Sequence, residues 1–256
     1  MRGIGKQGFG SPKSAFSLPD MEFPAVFGHR GLVLEGAPTG RRENTLEAFR
    51  TAVEAGLDGV ELDVRRSADG VLVVHHGPGV EGVGPISATP AGALPEWLPT
   101  LADALAACEP LLVNVEVKDL PGEPGWDPAE PTARAVAELL AEAGLGARTL
   151  VSSFSLAALD AVRETSPDQA TGWLTAARYD QFRALKTAAE RGHRALHPQQ
   201  ASVTEGLVTE AHRAGLLVVA WTVNDQRRMA ELAGMGLDVL ITDEGRRALE
   251  ARRQSA

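Results

Sequence analysis

The chain has 256 residues, close to the length of one α/β barrel and short for two ordinary domains. Its net charge of −9, from 25 Lys and Arg against 34 Asp and Glu, argues against a broad nucleic-acid surface and against polybasic attraction to a membrane. Hydrophobic residues make up 44% of it, enough for a sizeable core, and a single cysteine excludes any intramolecular disulfide.

Residues 1–24 are rich in Gly, Ser, Pro and Lys, with no apolar run resembling a signal peptide, and read as a flexible extension. Met21 is a second candidate start, and a cytoplasmic location is expected. No stretch of the sequence is long and apolar enough to span a bilayer. Residues 25–250 read as one domain. Its strand candidates are 25–29 (AVFGH), 59–64 (GVELDV), 111–118 (LLVNVEVK), 149–154 (TLVSSF), 170–175 (ATGWLT), 194–198 (RALHP), 216–223 (LLVVAWTV) and 238–243 (DVLITD). Their Val/Leu runs lack regular polar alternation, which suits parallel strands buried on both faces.

Helices alternate with these strands. Asn44 is placed to cap the first, with Glu47 at its third position and Gly56 as its stop. Cys108, in LADALAAC, sits on a helix as a small buried hydrophobe. Ser155 caps the helix ending before Pro167, and Thr204 or Glu205 opens the one closed by Gly215. The resulting expectation is an α/β fold, a (β/α)8 TIM barrel. An open doubly wound sheet is the alternative, but no GxGxxG or Walker loop follows the first strand.

One segment breaks the alternation. After GVELDV, the linker in RRSADGVLVVHHGP is too short for a helical crossover, and Asp69-Gly70 is a hairpin signal. Residues 64–76 therefore read as an antiparallel hairpin after the second strand, standing above the barrel rim. A four-residue turn at Ser67–Gly70 would set His76 opposite Glu61, and a two-residue turn would set it opposite Asp63.

Polar residues at the carboxyl ends of barrel strands are the candidates for chemistry. The first strand ends in His29-Arg30. Glu61 and Asp63 are two apart, as are Glu116 and Lys118, so each pair shares a side. Three carboxylates around one mouth repel one another unless a cation lies between them, and all-oxygen ligands favour Mg²⁺ or Ca²⁺. His29 and His76 beside that ion suit acid–base cleavage of a phosphodiester, with Arg30 and Lys118 neutralising the phosphate. His76 is taken as the acid.

GHRG, ENTLEAF, GVELDVRRSADGVLVVHHGP, LPTLADAL, NVEVK, SSF, ALHP, WTVND and ITD follow one another as in the glycerophosphodiester phosphodiesterase family. The resemblance runs from about Phe27 to Asp243. It implies a metal-dependent hydrolase of lipid and glycerol metabolism that cleaves a small glycerophosphodiester to glycerol 3-phosphate and an alcohol. It implies the same roles for His29, His76, Glu61, Asp63, Glu116, Arg30 and Lys118. It adds Glu43 as support for the metal or the glycerol hydroxyls, and Trp221 as the aromatic that shapes the pocket. Two positions depart from the family pattern: Gly77 replaces the Asp after the hairpin histidine, and Arg42 replaces a Pro. The short 77–98 segment leaves the alcohol group open.

Two other functions compete: a lysophospholipase D-type phosphodiesterase, and a non-catalytic barrel that binds a phosphodiester or cation. His75, beside His76, is read as structural. Trp97 and Trp173 read as packing, His197 as packing or mouth, His193 and His212 as surface, and Arg41-Arg42 as a solvated pair.

Overall fold

The structure, a computed structural model, describes residues 16–19, 21–33 and 43–255. In chain order the elements are β1 (Ala25–Gly28), α1 (Leu46–Ala55), β2 (Gly59–Arg66), β3 (Leu72–Val74), β4 (Gly79–Val80) and β5 (Gly84–Pro85). Then come α2 (Leu101–Ala107), β6 (Leu112–Val117), α3 (Pro131–Glu142), β7 (Thr149–Ser153), α4 (Leu156–Thr165), β8 (Thr171–Thr175) and α5 (Gln181–Glu190). The chain finishes with β9 (Ala195–Pro198), α6 (Glu205–Arg213), β10 (Leu217–Ala220), α7 (Gln226–Gly234), β11 (Val239–Thr242) and α8 (Gly245–Ser255).

Except for β3, the strands of the main sheet pair in parallel in the order β1-β11-β10-β9-β8-β7-β6-β2. The sheet closes because β1 also pairs β2, through Phe27↔Gly59 and Gly28↔Val60. This is the closed (β/α)8 barrel, and closure rules out the open doubly wound sheet. Side chains alternate between two cores. One, including Leu62, Val115, Val151 and Leu240, lies between strands and helices. The other fills the barrel interior with Phe27, Leu150, Ala195, Val219 and Ile241. Phe16 and Leu18, from the expected flexible extension, pack into this interior cluster, and Phe16 is buried.

The hairpin forms as an antiparallel extension of β2, but in neither expected register. Its rungs are Val64↔Val74, Arg65↔Val73 and Arg66↔Leu72. Ser67 N donates to Val71 O at 2.9 Å, so Ala68-Asp69-Gly70 form a three-residue turn. That turn sets Leu62, not Glu61 or Asp63, level with His76. Side chains explain the difference: Ser67 Oγ bonds Asp69 at 2.6 Å and accepts from Val71 N at 2.9 Å, while Asp69 also accepts from Ala91 N at 2.9 Å. Asp69 is thus tied outward to the next loop.

Two local expectations are also corrected. Thr45, not Asn44, caps α1, its hydroxyl accepting from Ala48 N. His193 is not a surface residue; it is buried, with Nδ1 2.9 Å from the Thr171 hydroxyl.

Candidate active site

The turn after β1 is built for close approach. A Cβ at Gly28 would lie 2.3 Å from the Gly31 carbonyl, and Gly31 has φ +88° against Ala48. His29 continues the ladder to β11 through its N–H to Thr242 O, 2.9 Å. Arg30 then adopts φ 57°, which turns its backbone N–H onto Glu61 Oε2 at 3.0 Å. Its guanidinium meets Glu43 at 2.7 Å and Asp63 at 3.1 Å.

Glu61, Asp63 and Glu116 come together as expected from their alternation. All three are buried, and one oxygen from each lies within 4.8 Å of the others. Lys118 Nζ bridges two of them, 3.2 Å from Asp63 Oδ1 and 2.5 Å from Glu116 Oε1. Glu61 Oε1 is buried with no hydrogen-bond partner among the described residues. Burial, followed by the charge of Asp63, pushes the Glu61 carboxyl up to about 8. Burial pushes Glu116 up to about 7, with Asp63 adding to it and Lys118 opposing. Asp63 moves the other way: burial would raise it, but Lys118, Arg30 and the Asn44 amide hold it low. Asn44, at φ 57°, donates Nδ2 to Asp63 Oδ2 at 2.8 Å, and Asp63 N donates to Asn44 Oδ1 at 3.3 Å. The residue expected to cap a helix braces a metal-ligand candidate instead.

With all three carboxylates ionised, as an ion would hold them, Arg30 and Lys118 leave one net negative charge at the centre of the site. A divalent cation would turn that into one positive charge, the complement of a singly charged diester. The orphaned Glu61 oxygen and the raised carboxyls fit such an ion.

His29 Nδ1 pairs with Asp243 Oδ1 at 2.7 Å, and its Nε2 lies 3.9 Å from Glu61 Oε2. Asn224 holds Asp243, its Nδ2 donating to Oδ2 at 2.7 Å and its Oδ1 accepting from Asp243 N at 3.0 Å. Burial disfavours the imidazolium of His29, yet the Asp243 bond and the Glu61 charge outweigh it, so its pKa is raised. For His76, burial lowers the pKa, Asp63 offsets part, and Lys118 and Arg30 lower it further. β3 ends at Val74, and although His75 N still bonds Asp63 O at 2.9 Å, alternation stops there. His76 therefore lines the mouth. His75 turns Nδ1 to Gly77 O at 2.9 Å and sets its ring 6.0 Å from that of Trp97.

His29, Arg30, Glu61, His76, Glu116, Lys118 and Trp221 all line one cavity of ≈ 190 Å³ at the mouth. His29 and His76 also border a wider cleft of ≈ 510 Å³ with Glu43, Trp97 and Asp243. Trp221 donates Nε1 to His197 O at 2.8 Å and meets Phe154 edge-on at 5.6 Å. His197 itself is fully buried, its Nε2 where a Cβ on Gly172 would stand, and burial pushes it down to about 3. Arg41 and Arg42 lie outside the described residues. The residues overlooked in the sequence are Asp243, Asn224, Phe154 and Arg65. Asp243 and Phe154 end the motifs ITD and SSF, and Asn224 is the fourth residue of WTVND, so their place after a strand was the available signal.

The profile of the glycerophosphoryl diester phosphodiesterase family matches residues 29–87 and 82–245. The chain belongs to this family. A glycerophosphodiester phosphodiesterase of Caldanaerobacter subterraneus is 31% identical over 225 residues, covering 79% of this chain and 88% of that protein. Among solved structures, an Oleispira antarctica phosphodiesterase in complex with its product sn-glycerol-3-phosphate has TM-score 0.75 and 26% identity, covering 90% of this chain and 96% of that one. A Thermotoga maritima glycerophosphodiester phosphodiesterase has TM-score 0.73 and 26% identity, covering 90% and 99%. The protein is thus an enzyme, a phosphoric diester hydrolase of the glycerophosphodiester phosphodiesterase family. None of its described helices is long and apolar enough to cross a membrane.

Proposed function

We propose that this protein hydrolyses glycerophosphodiesters to glycerol 3-phosphate and an alcohol, using Mg²⁺ or Ca²⁺ and a His29–His76 acid–base pair. The observation that carries the reading is the buried Glu61–Asp63–Glu116 cluster, of which Glu61 and Glu116 line one cavity with Arg30, Lys118 and both histidines. The Oleispira product complex supports the same product here. Residues 25–250 form the catalytic domain. Glu61, Asp63 and Glu116 would hold the ion, which supplies charge stabilisation to the diester oxygens when bound.

The chain's own groups do the rest. Arg30 and Lys118 bind the phosphate oxygens, and Trp221 with Phe154 walls the pocket. Asp243 fixes Nδ1 of His29 and stabilises the imidazolium formed when Nε2 takes a proton from the attacking oxygen. His76 protonates the departing alkoxide. Without an ion the resting order is the reverse, His29 raised and His76 lowered. The raising charge of Glu61 on His29 is what a cation neutralises.

The test is turnover of a panel of glycerophosphodiesters and lysophospholipids with Mg²⁺, with Ca²⁺ and after exhaustive EDTA treatment. Cation-dependent release of glycerol 3-phosphate is expected. Full turnover in EDTA, or turnover of lysophospholipids alone, would overturn the reading.

A further inference from the structure

Arg65 lies two residues beyond Asp63 on β2 and is buried, with 6% of its surface exposed. A guanidinium has five N–H donors and no acceptor. Here all five are engaged. Nε and Nη2 both donate to the His76 carbonyl, at 3.0 and 2.8 Å. Nη1 donates to the Lys118 carbonyl at 3.2 Å. The remaining two meet the Glu123 carboxylate, at 2.9 and 3.4 Å. No N–H is left for a substrate phosphate. That separates Arg65 from Arg30, whose guanidinium is at the mouth.

The places where those bonds land matter. His76 follows a three-residue strand and precedes Gly77, which has no side chain to anchor the backbone. Lys118 sits one residue past the end of β6. One planar, saturated group therefore ties together the two segments that carry these side chains, on the strand that carries Glu61 and Asp63.

We propose that Arg65 is a positioning residue for phosphodiester cleavage, fixing His76 and Lys118 through their backbone carbonyls. This deepens the function proposed above and rests on it. A displacement of about 1 Å at a reacting group can cost on the order of 10²-fold in rate.

The experiment compares Arg65→Met, Arg65→Lys and Glu123→Gln in the full chain, each checked for folding by circular dichroism and melting. Substrates are glycerophosphocholine and a nitrophenyl phosphodiester, with saturating Mg²⁺ or Ca²⁺. If the unaltered protein turns over neither diester, the functional reading fails and Arg65 is not at issue. Given turnover, Arg65→Met should lower kcat on glycerophosphocholine by roughly 10- to 100-fold, with KM rising by a smaller factor as Lys118 loosens its hold on the phosphate. The loss should be smaller on the nitrophenyl ester, whose leaving group needs little protonation, and Arg65→Lys should recover part of it. In a His76→Ala background the Arg65→Met loss should shrink several-fold, as expected for groups acting through one another. Equal losses in both backgrounds and on both substrates, or kcat within about threefold of the unaltered protein, would overturn the proposal. If Arg65→Met does not fold, Arg65→Lys and Glu123→Gln carry the same comparison between substrates.

Discussion

The lower and upper halves of the barrel interior are built from the same strands, yet they behave as different materials. On β1, Phe27 packs in the apolar interior, while His29, two residues on, pairs with Asp243. At β11 the same step leads from Ile241 to Asp243, and on β10 from Val219 to the pocket wall at Trp221. Along β6, Leu112 gives way to Asn114, Glu116 and Lys118. One step of the strand pleat thus separates close-packed hydrocarbon from a charged, cation-seeking ring. The apolar half supplies rigidity, and the polar half gathers three carboxylates whose charge Arg30 and Lys118 balance only in part.

The largest effect should follow from breaking the polar half at its centre. Glu61→Gln is expected to lower kcat by at least about 10³-fold, the loss of several kcal/mol of charge stabilisation. Calorimetric titration should show weaker Mg²⁺ or Ca²⁺ binding in the same variant. Activity within tenfold of the unaltered protein would remove Glu61 from the ion site.

Next in size are the histidines. His29→Ala and His76→Ala should each reduce kcat roughly 10²- to 10⁴-fold with KM little changed, and the double variant should lose less than the product. Asp243→Asn should cost about tenfold or more by loosening His29. A nitrophenyl diester should rescue His76→Ala but not His29→Ala; the opposite result would exchange acid and base.

The apolar half should answer differently. Phe16→Ala is expected to cost about 3 kcal/mol of stability, near the low end for a buried Phe. That corresponds to a fall of roughly 6–12 °C in Tm. The kcat well below Tm should stay within about twofold. A selective loss of kcat with unchanged Tm would mean that the two halves are not separable.

A smaller effect joins stability to the ion. Glu61 and Glu116 titrate near 8 and 7 in the folded chain, above the ordinary 4.5, so the folded state holds protons that the unfolded state has released. Their contribution to stability therefore falls as pH rises towards 8. Below 6.5 the trend is complicated by His193 and His197, which burial holds neutral down to about 4 and 3. Between pH 6.5 and 8, Tm in EDTA should decline, with Glu130, which burial also raises to about 7, adding to the fall. Saturating Mg²⁺ or Ca²⁺ should remove the share due to Glu61 and Glu116. A cation effect that does not grow with pH would count against these two ligands. The smallest change expected is Gly77→Asp, where a Cβ would lie 3.4 Å from His75 Cε1 in ordinary contact. Equal or modestly higher activity is expected, and a large loss in a folded variant would show that the pocket is shaped around glycine.

Much of this was legible in order. The eight strands follow from Val/Leu runs, and Gly56, Ser155 and Thr204 mark helix ends at the positions observed. Period-two alternation on β2 and β6 was enough to gather Glu61, Asp63 and Glu116. The hairpin was legible too, but neither expected register formed, and His76 reaches the cavity that Glu61 and Glu116 line from beyond the end of β3. These are local properties: pleat, cap and turn are decided by neighbours a few residues away. Which polar group meets which was decided elsewhere. Closure of β11 against β1 brings Asp243 to His29 across 214 residues, and the fold turns Asn44 from a cap into a brace on Asp63. The hairpin register went to the side-chain bonds of Ser67 and Asp69, and His197 was sealed beneath the mouth by the empty space over Gly172. Sequence alone determined the elements and the side of each strand on which charge would stand. Only the closed barrel decided the partners, because a hydrogen bond between distant segments depends on ångström-scale placement that no local pattern encodes.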